Sequence, residues 1–248
     1  MKALVIGASA GLGRALAQQL GASGHELFLV ASDQQDLLPL ERDLSLRHGV
    51  TVHSAAVDLA DLDPDALRHQ VLEKMPDLSA LFYVAGCAYN QDNGPVPAGV
   101  ADRLLKVNFT SGARIINAFL DHLDAQPRGL VVGIGAVAAV RARGDNMIYA
   151  AAKRGLEFYC AALRHRYNRR PLTVQFYRVG YMLTSMLGGS ETPLPAAAPE
   201  KIAAHIVAHL EEDFGMRHLP GWWFWVCLVL KLLPWTIFKR LSLEAPGR

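Results

Sequence analysis

Short apolar runs alternate with stretches of helical period almost from end to end of the chain, the pattern of a parallel sheet whose strands are joined by crossover helices. "KALVI" reads as the first strand, and a glycine-rich turn and a helix to about Leu20 follow it. "HELFLVA" is the second strand, and the next helix, "DQQDLLPLERDLSLRHG", carries leucines at helical spacing and stops at Gly49. "VTVHSAAVDL" predicts a third strand ending on Asp58, and Pro64 opens a helix at its first turn, where a missing N–H costs little. "LSALFYVAG" is the fourth strand, a helix runs from about Val100 to Asp124, and "RGLVVGIG" is the fifth strand. A helix from Met147 to Asn168, a sixth strand "PLTVQFYRVG" and an amphipathic helix from Pro199 to Asp213 complete the series. Between the last two, the Gly/Pro/Ser-rich "TSMLGGSETPLPAAAP" predicts a mobile loop after the carboxyl end of a strand, where ligands of doubly wound sheets sit. The expected fold is therefore α/β, a doubly wound parallel sheet of Rossmann-like type. It forms a single domain over residues 1–220, with an apolar, tryptophan-rich extension over 221–248.

Composition narrows the function classes. A chain of 248 residues that is 51% hydrophobic can bury one large core. A formal net charge of +2 gives no electrostatic case for nucleic acid. Cys87, Cys160 and Cys227 are far apart, form no zinc-like spacing and read as reduced thiols of a cytoplasmic protein. The apolar run of "MKALVIGASAGLGRALA" is too short for a signal peptide. His205 and His209 share a helical face, but no neighbouring segment supplies a third ligand, so no metal is expected.

The extension changes the picture. "GWWFWVCLVLKLLPWTIFKRLSL" is the most apolar run, yet Lys231 and Pro234 interrupt it. A membrane span needs about 20 apolar residues. Tryptophans flanked by Lys231, Lys239 and Arg240 suit peripheral contact with the cytoplasmic membrane face, the alternative being packing on the protein or across a dimer.

In "VIGASAGLGRAL", Gly7, Gly11 and Gly13 fall between the first strand and its helix. Glycines let a backbone turn tightly around a pyrophosphate, whose charge meets free N–H groups at the helix start. Their place after the first strand of an alternating chain points to a dinucleotide site. The second strand ends Val30, Ala31, Ser32, Asp33. A small Ala31 leaves room for a 2′-phosphate that Ser32 and Arg14 would contact, while Asp33 would repel it unless turned outward. The balance favours NADP over NAD. Asp58, at the end of the third strand, either accepts from the adenine amino group or serves as a strand-end acid.

Tyr149 and Lys153 stand four apart, which sets a phenol and an ammonium side by side on one helical face. An ammonium beside a phenol favours the phenolate and brings its pKa toward working pH. With the glycine turn, Asp58, "VAG" at Val84–Gly86, Asn108 and this pair in order, the chain resembles the short-chain dehydrogenase/reductases from Lys2 to about Thr184. Its tail is similar to that of a subgroup that includes reductases of polyprenyl-phosphate-linked keto-sugars. The resemblance implies that Tyr149 protonates the substrate oxygen, that Lys153 also holds the nicotinamide ribose, and that Asn108 holds a water of the proton relay. It further implies cofactor contacts from Gly7, Ser9, Gly11, Leu12, Gly13, Arg14, Ser32, Asp58, Leu59, Ala85, Gly86, Gly180 and Thr184. Like most of the family, the chain is expected to form a homo-oligomer.

Four positions depart from the family pattern. Tyr83 and Val84 replace two asparagines before Ala85 and Gly86, and Val179 replaces a proline before Gly180. Ala136 stands where the serine that steadies the substrate oxygen belongs. Losing one such donor typically costs ~10²–10³ in rate, which weakens catalysis without abolishing it. Water, Asn146, Thr184 or the substrate itself would then take over the role. Arg141 and Arg143, on the loop before Tyr149, read either as a phosphate clamp or as a solvated basic loop. The expectation is an NAD(P)-dependent oxidoreductase acting on a small-molecule or lipid-linked carbonyl. The alternative is a catalytically inactive NAD(P)-binding partner or sensor of the same fold.

Overall fold

The computed structural model describes residues 1–185 and 192–240. Its elements follow in the order β1 (Lys2–Ile6), α1 (Gly11–Ala22), β2 (Glu26–Ala31), α2 (Gln34–His48), β3 (Val52–Ala56), α3 (Pro64–Lys74) and β4 (Ala80–Tyr83). Then come α4 (Ala98–Leu105), a π turn (Lys106–Thr110), α5 (Ser111–Asp124), β5 (Leu130–Ala136), α6 (Met147–Arg166) and β6 (Thr173–Val179). The chain closes with α7 (Pro199–Ala208), β7 (Met216–Leu219), α8 (Trp223–Leu232) and α9 (Trp235–Phe238).

The seven strands form one parallel sheet in the order β3-β2-β1-β4-β5-β6-β7. Strand order reverses between β1 and β4, which opens a crevice at their carboxyl ends. Successive strand residues point to opposite faces, so β1 sends Leu4 and Ile6 into one core and Ala3 and Val5 into the other. The first core is closed by α3, α5 and α6 through residues such as Val71, Phe119 and Leu156. The second is closed by α1, α2 and α7 through Leu16, Leu40 and Ile206. Near the carboxyl end of β6, Arg178 is buried and is met by Glu157 of α6, with Nε donating to Oε2 at 2.7 Å.

The structure departs from the sequence reading in the last third. The helix from Pro199 ends at Ala208, and the chain then adds a seventh strand that the sequence reading lacked. "MRHL" has no apolar run and lies at the sheet edge, so periodicity gives no signal there. The helix expected from Val100 to Asp124 is present but contains the π turn. The loop expected to be mobile falls partly outside the described residues, at 186–191. The three cysteines are free thiols, with Cys160 and Cys227 buried.

Candidate active site

The glycine turn lies at the crevice, and the structure accounts for each of its glycines. Gly7 and Gly11 have φ of 92° and 50°, a region side chains rarely adopt. A Cβ on Gly13 would sit 1.8 Å from the Gly7 carbonyl oxygen, so α1 could not start this close to β1 with any side chain there. At the helix start, Ala10 provides no side-chain cap and the first turn holds no acid. The first-turn N–H groups are thus left to an outside anion. Ser9, Leu12 and Thr184 border the same opening, and Thr184 packs its methyl against Gly11. This is the donor set a nucleotide pyrophosphate needs.

A single cleft of about 970 Å³ runs from this turn along the strand ends. At its far end Ala31, Ser32, Asp58 and Leu59 line the wall. Asp33 is turned away, because its carboxylate accepts from Gln35 N–H at 2.7 Å and caps α2. Asp58 accepts from Ala60 N–H at 3.0 Å and from Arg103 at 3.0 Å. These two partners, the N–H first, hold its carboxyl below the usual carboxylate range. Asp58 therefore caps a turn and also lines the cleft. Arg103, absent from the sequence reading, lines the cleft beside it. Arg14 is exposed on α1 and does not line the cleft, since one residue past Gly13 turns a side chain about 100° around the helix.

The opposite end is built on α6. Asp92, from the loop after β4, is buried, and its two carboxylate oxygens accept from Ile148 N–H at 3.0 Å and Tyr149 N–H at 2.8 Å. Its backbone carbonyl accepts from Met147 N–H at 3.1 Å. A remote residue thus caps the helix that carries Tyr149. Asn146, at the usual capping position, makes no capping bond and takes φ 57° and ψ 43°. It lines the cleft instead.

Tyr149 and Lys153 both face the cleft. The Lys153 ammonium donates to the carbonyls of Ala85 at 3.0 Å and Ile134 at 3.3 Å. Burial lowers the lysine to about 8 and pushes the Tyr149 phenol up to about 12. From sequence the ammonium is expected to draw the phenol down. Here the ammonium is directed at backbone carbonyls, and desolvation decides the direction.

Asn108 sits in the π turn, fully buried behind this pair and outside the cleft lining. Its amide donates to the carbonyls of Cys87 at 2.8 Å and Leu104 at 3.0 Å, and its carbonyl accepts from Cys87 N–H at 3.2 Å. In a π turn the backbone N–H reaches back five residues, so the carbonyl four back needs another donor. The side chain supplies it for Leu104. Asn108 and Lys153 converge on Gly86, where a Cβ would lie 3.1 Å from both Oδ1 and Nζ. The departure at Tyr83 has a structural reason as well. Its hydroxyl donates at 2.7 Å to the Val107 carbonyl of the same π turn, and its ring fills the space left by Gly112.

Ala136 ends β5 and lines the cleft with its methyl. Its neighbour Gly135 is forced by Phe176, whose ring would lie 2.4 Å from a Cβ. Across the opening, Gly180 packs directly on the indole of Trp223, where a Cβ would meet Nε1 at 1.8 Å. Tyr181 meets the same indole edge-on at 5.6 Å. Of the two loop arginines, Arg143 lines the cleft, whereas Arg141 points away and donates to the Leu230 and Leu233 carbonyls. Asp92 and Arg141 act across 56 and 89 or more residues of chain, a separation that leaves no local signal.

A family model described as short chain dehydrogenase matches residues 1–194. An uncharacterized oxidoreductase of Mycobacterium tuberculosis is 26% identical over 245 residues, covering 97% of this chain and 95% of that protein. A very-long-chain 3-oxoacyl-CoA reductase of Neurospora crassa is 27% identical over 232 residues, covering 89% of this chain and 69% of that one. Among solved structures, a short-chain dehydrogenase from Sphingobium yanoikuyae in complex with NADPH superposes with a TM-score of 0.80 at 22% identity. That match covers 99% of this chain and 98% of the other.

Proposed function

We propose, for a chain that belongs to the short-chain dehydrogenase family, that the cleft binds NADP(H) and serves reduction of a carbonyl on an amphiphilic or lipid-linked substrate, or the reverse oxidation. Family membership makes the protein an NAD(P)-dependent oxidoreductase and favours turnover over a non-catalytic partner role. One observation carries the finer reading: the uncapped start of α1 and the Tyr149–Lys153 pair of α6 open onto the same cleft.

The bound nicotinamide would supply the hydride. The chain's own residues do the rest. Gly7, Ser9, Gly11, Leu12 and Gly13 would cradle the pyrophosphate, Asp58 and Leu59 would border the adenine, and Ala85, Gly86, Gly180 and Thr184 would border the nicotinamide end, all of them lining the one cleft. With Asp33 withdrawn into the α2 cap, Ala31 and Ser32 leave room for a 2′-phosphate, which favours NADP. The Sphingobium protein holds NADPH.

Tyr149, held protonated by burial, gives its proton to the carbonyl oxygen in the reducing direction. Lys153, at about 8, keeps most of its charge at neutral pH and favours the phenolate once the proton has left. Asn108 holds Cys87 and the turn behind Lys153 in place. Ala136 offers no donor to the substrate oxygen, so the site works with Asn146, Thr184, water or the substrate in that role, at a rate cost of ~10²–10³. The exposed apolar surface of the 221–240 segment supports an amphiphilic substrate and work at the cytoplasmic membrane face. A long-chain acyl substrate is named for the Neurospora relative.

The test binds NADPH and NADH, then follows oxidation over ketones, keto-sugars and long-chain 3-oxoacyl thioesters. Turnover is expected that Tyr149→Phe removes without loss of nucleotide binding, and that Ala136→Ser raises. Nucleotide binding with no oxidation, unchanged by Tyr149→Phe, would support the partner or sensor reading. Absence of nucleotide binding would sink both.

A further inference from the structure

The C-terminal segment leaves a broad apolar face in solvent. Phe224, Trp225, Leu228, Val229, Leu232, Trp235 and Ile237 of α8 and α9 are exposed, with Trp225 at 65% and Leu232 at 73%. Monomeric proteins rarely leave such a contiguous face bare. Its charge identifies the occupant: Lys231, Lys239 and Arg240 are exposed beside it, and residues 221–240 contain no acid. Among the described residues no helix is long and apolar enough to cross a membrane. At 10 residues α8 is about 15 Å long, half a bilayer core of about 30 Å, and Pro234 separates it from α9. Length, tryptophans and basic rim together suit a helix pair lying in the headgroup layer.

The face is not a loose tail. Arg141, on the loop between Ala136 and Tyr149, donates to the carbonyls of Leu230 and Leu233 at the C-terminal end of α8, where a cation meets the negative end of the helix. The same guanidinium lies 4.0 Å from the centroid of the Phe238 ring in α9. At the other end of α8, Trp223 packs on Gly180 and Tyr181, both of which line the cleft. The platform is therefore fastened to two walls of the cleft: the loop that leads to the catalytic helix and the end of β6.

We propose that the exposed face of α8 and α9 docks on an anionic lipid surface, and that Arg141 latches this platform to the loop beside the cleft. The cleft is thereby held next to the lipid from which an amphiphilic substrate would come. This deepens the reading of the substrate and rests on it only for substrate entry, because the lipid contact stands or falls by itself.

All four tryptophans of the chain lie at 222–235, so intrinsic emission reports this segment alone. The full chain with NADPH is mixed with phosphatidylcholine vesicles and with vesicles holding about 30% phosphatidylglycerol, each with and without brominated acyl chains. A blue shift and bromine quenching are expected with the anionic vesicles, with partitioning at least about tenfold weaker to phosphatidylcholine alone. The double variant Trp225→Asp/Leu232→Asp should lose vesicle binding and retain NADPH binding. Emission unmoved by anionic vesicles, or equal partitioning to both compositions, overturns the docking. So does a dimer, by sedimentation, whose tryptophans stay shielded from bromine, which would make a second copy the occupant. For the latch, Arg141→Ala should leave NADPH binding intact and speed tryptic cleavage after Lys231 in lipid-free protein. Unchanged cleavage overturns it. NADPH oxidation is followed separately, so failure to dock and failure to catalyse give different results.

Discussion

Replacing Asp92 with alanine removes both side-chain acceptors at the start of α6, the helix that carries Tyr149. The carboxylate accepts from two backbone N–H groups, at 3.0 Å and 2.8 Å, and is only 1% exposed, so water has poor access to take over. A lost N-cap costs ~0.5–2 kcal/mol, and a hydrogen bond to a charged group contributes ~1.5–3 kcal/mol. Two such bonds at one buried site place the Asp92→Ala loss at about 3 kcal/mol, at the low end of the two-bond sum because the Asp92 backbone carbonyl still holds Met147 N–H. Asp92→Asn keeps one acceptor and loses the charge, so about half of that is expected. Urea unfolding at constant m-value reads both losses. A loss below about 0.5 kcal/mol for Asp92→Ala would refute the account, because solvent would then be capping α6 as well as the carboxylate does. The same variant should lower turnover on any accepted carbonyl more than tenfold and leave NADPH affinity within about twofold, since it disturbs the helix under Tyr149 and not the glycine turn.

Three further outcomes follow from the packing and the charges. Gly180→Ala drives a methyl to 1.8 Å from the Trp223 indole nitrogen, so it should cost ~1–3 kcal/mol and red-shift tryptophan emission as the indole is displaced. His218 is held at about 4 by burial and by the Arg178 charge. Between about 4 and the ordinary 6.5 the unfolded chain binds the extra proton, so stability rises with pH across that window and falls on acidification. His218→Gln should flatten the slope there, and an unchanged slope in denaturant titrations would refute the assignment. Glu157→Gln leaves the buried Arg178 charge poorly matched and should cost ~3–5 kcal/mol, whereas Glu157→Leu with Arg178→Met should recover much of the loss in thermal unfolding.

Six of the seven strands were legible because each is an apolar run bounded by glycine, proline or a charged turn. β7 was not, because "MRHL" is held by its pairing with β6 rather than by its own pattern. The glycine turn and the Tyr149–Lys153 pair were legible since their chemistry depends on residue type and short spacing. The positions of Arg14 and Asn108 were harder to read. A one-residue turn of α1 takes Arg14 out of the cleft, and the π turn puts Asn108 behind the site rather than at its surface. Asp92, Arg103 and Arg141 act on partners 45 or more residues away, and only the folded chain brings them there.

The π turn also bears on what this gene can tolerate. Five residues, 106–110, carry one more residue than an α-helix would need to join α4 to α5. Each added or deleted residue in a helix rotates everything beyond it by about 100°. Deleting one residue here would restore regular α hydrogen bonding. It would also swing either Asn108 away from Cys87 or the buried row Ile115, Phe119 and Leu123 away from the sheet. The segment is constrained in count more tightly than in composition. Exposed Lys106 and Thr110 can accept many side chains, but neither an insertion nor a deletion leaves both halves of the helix in phase.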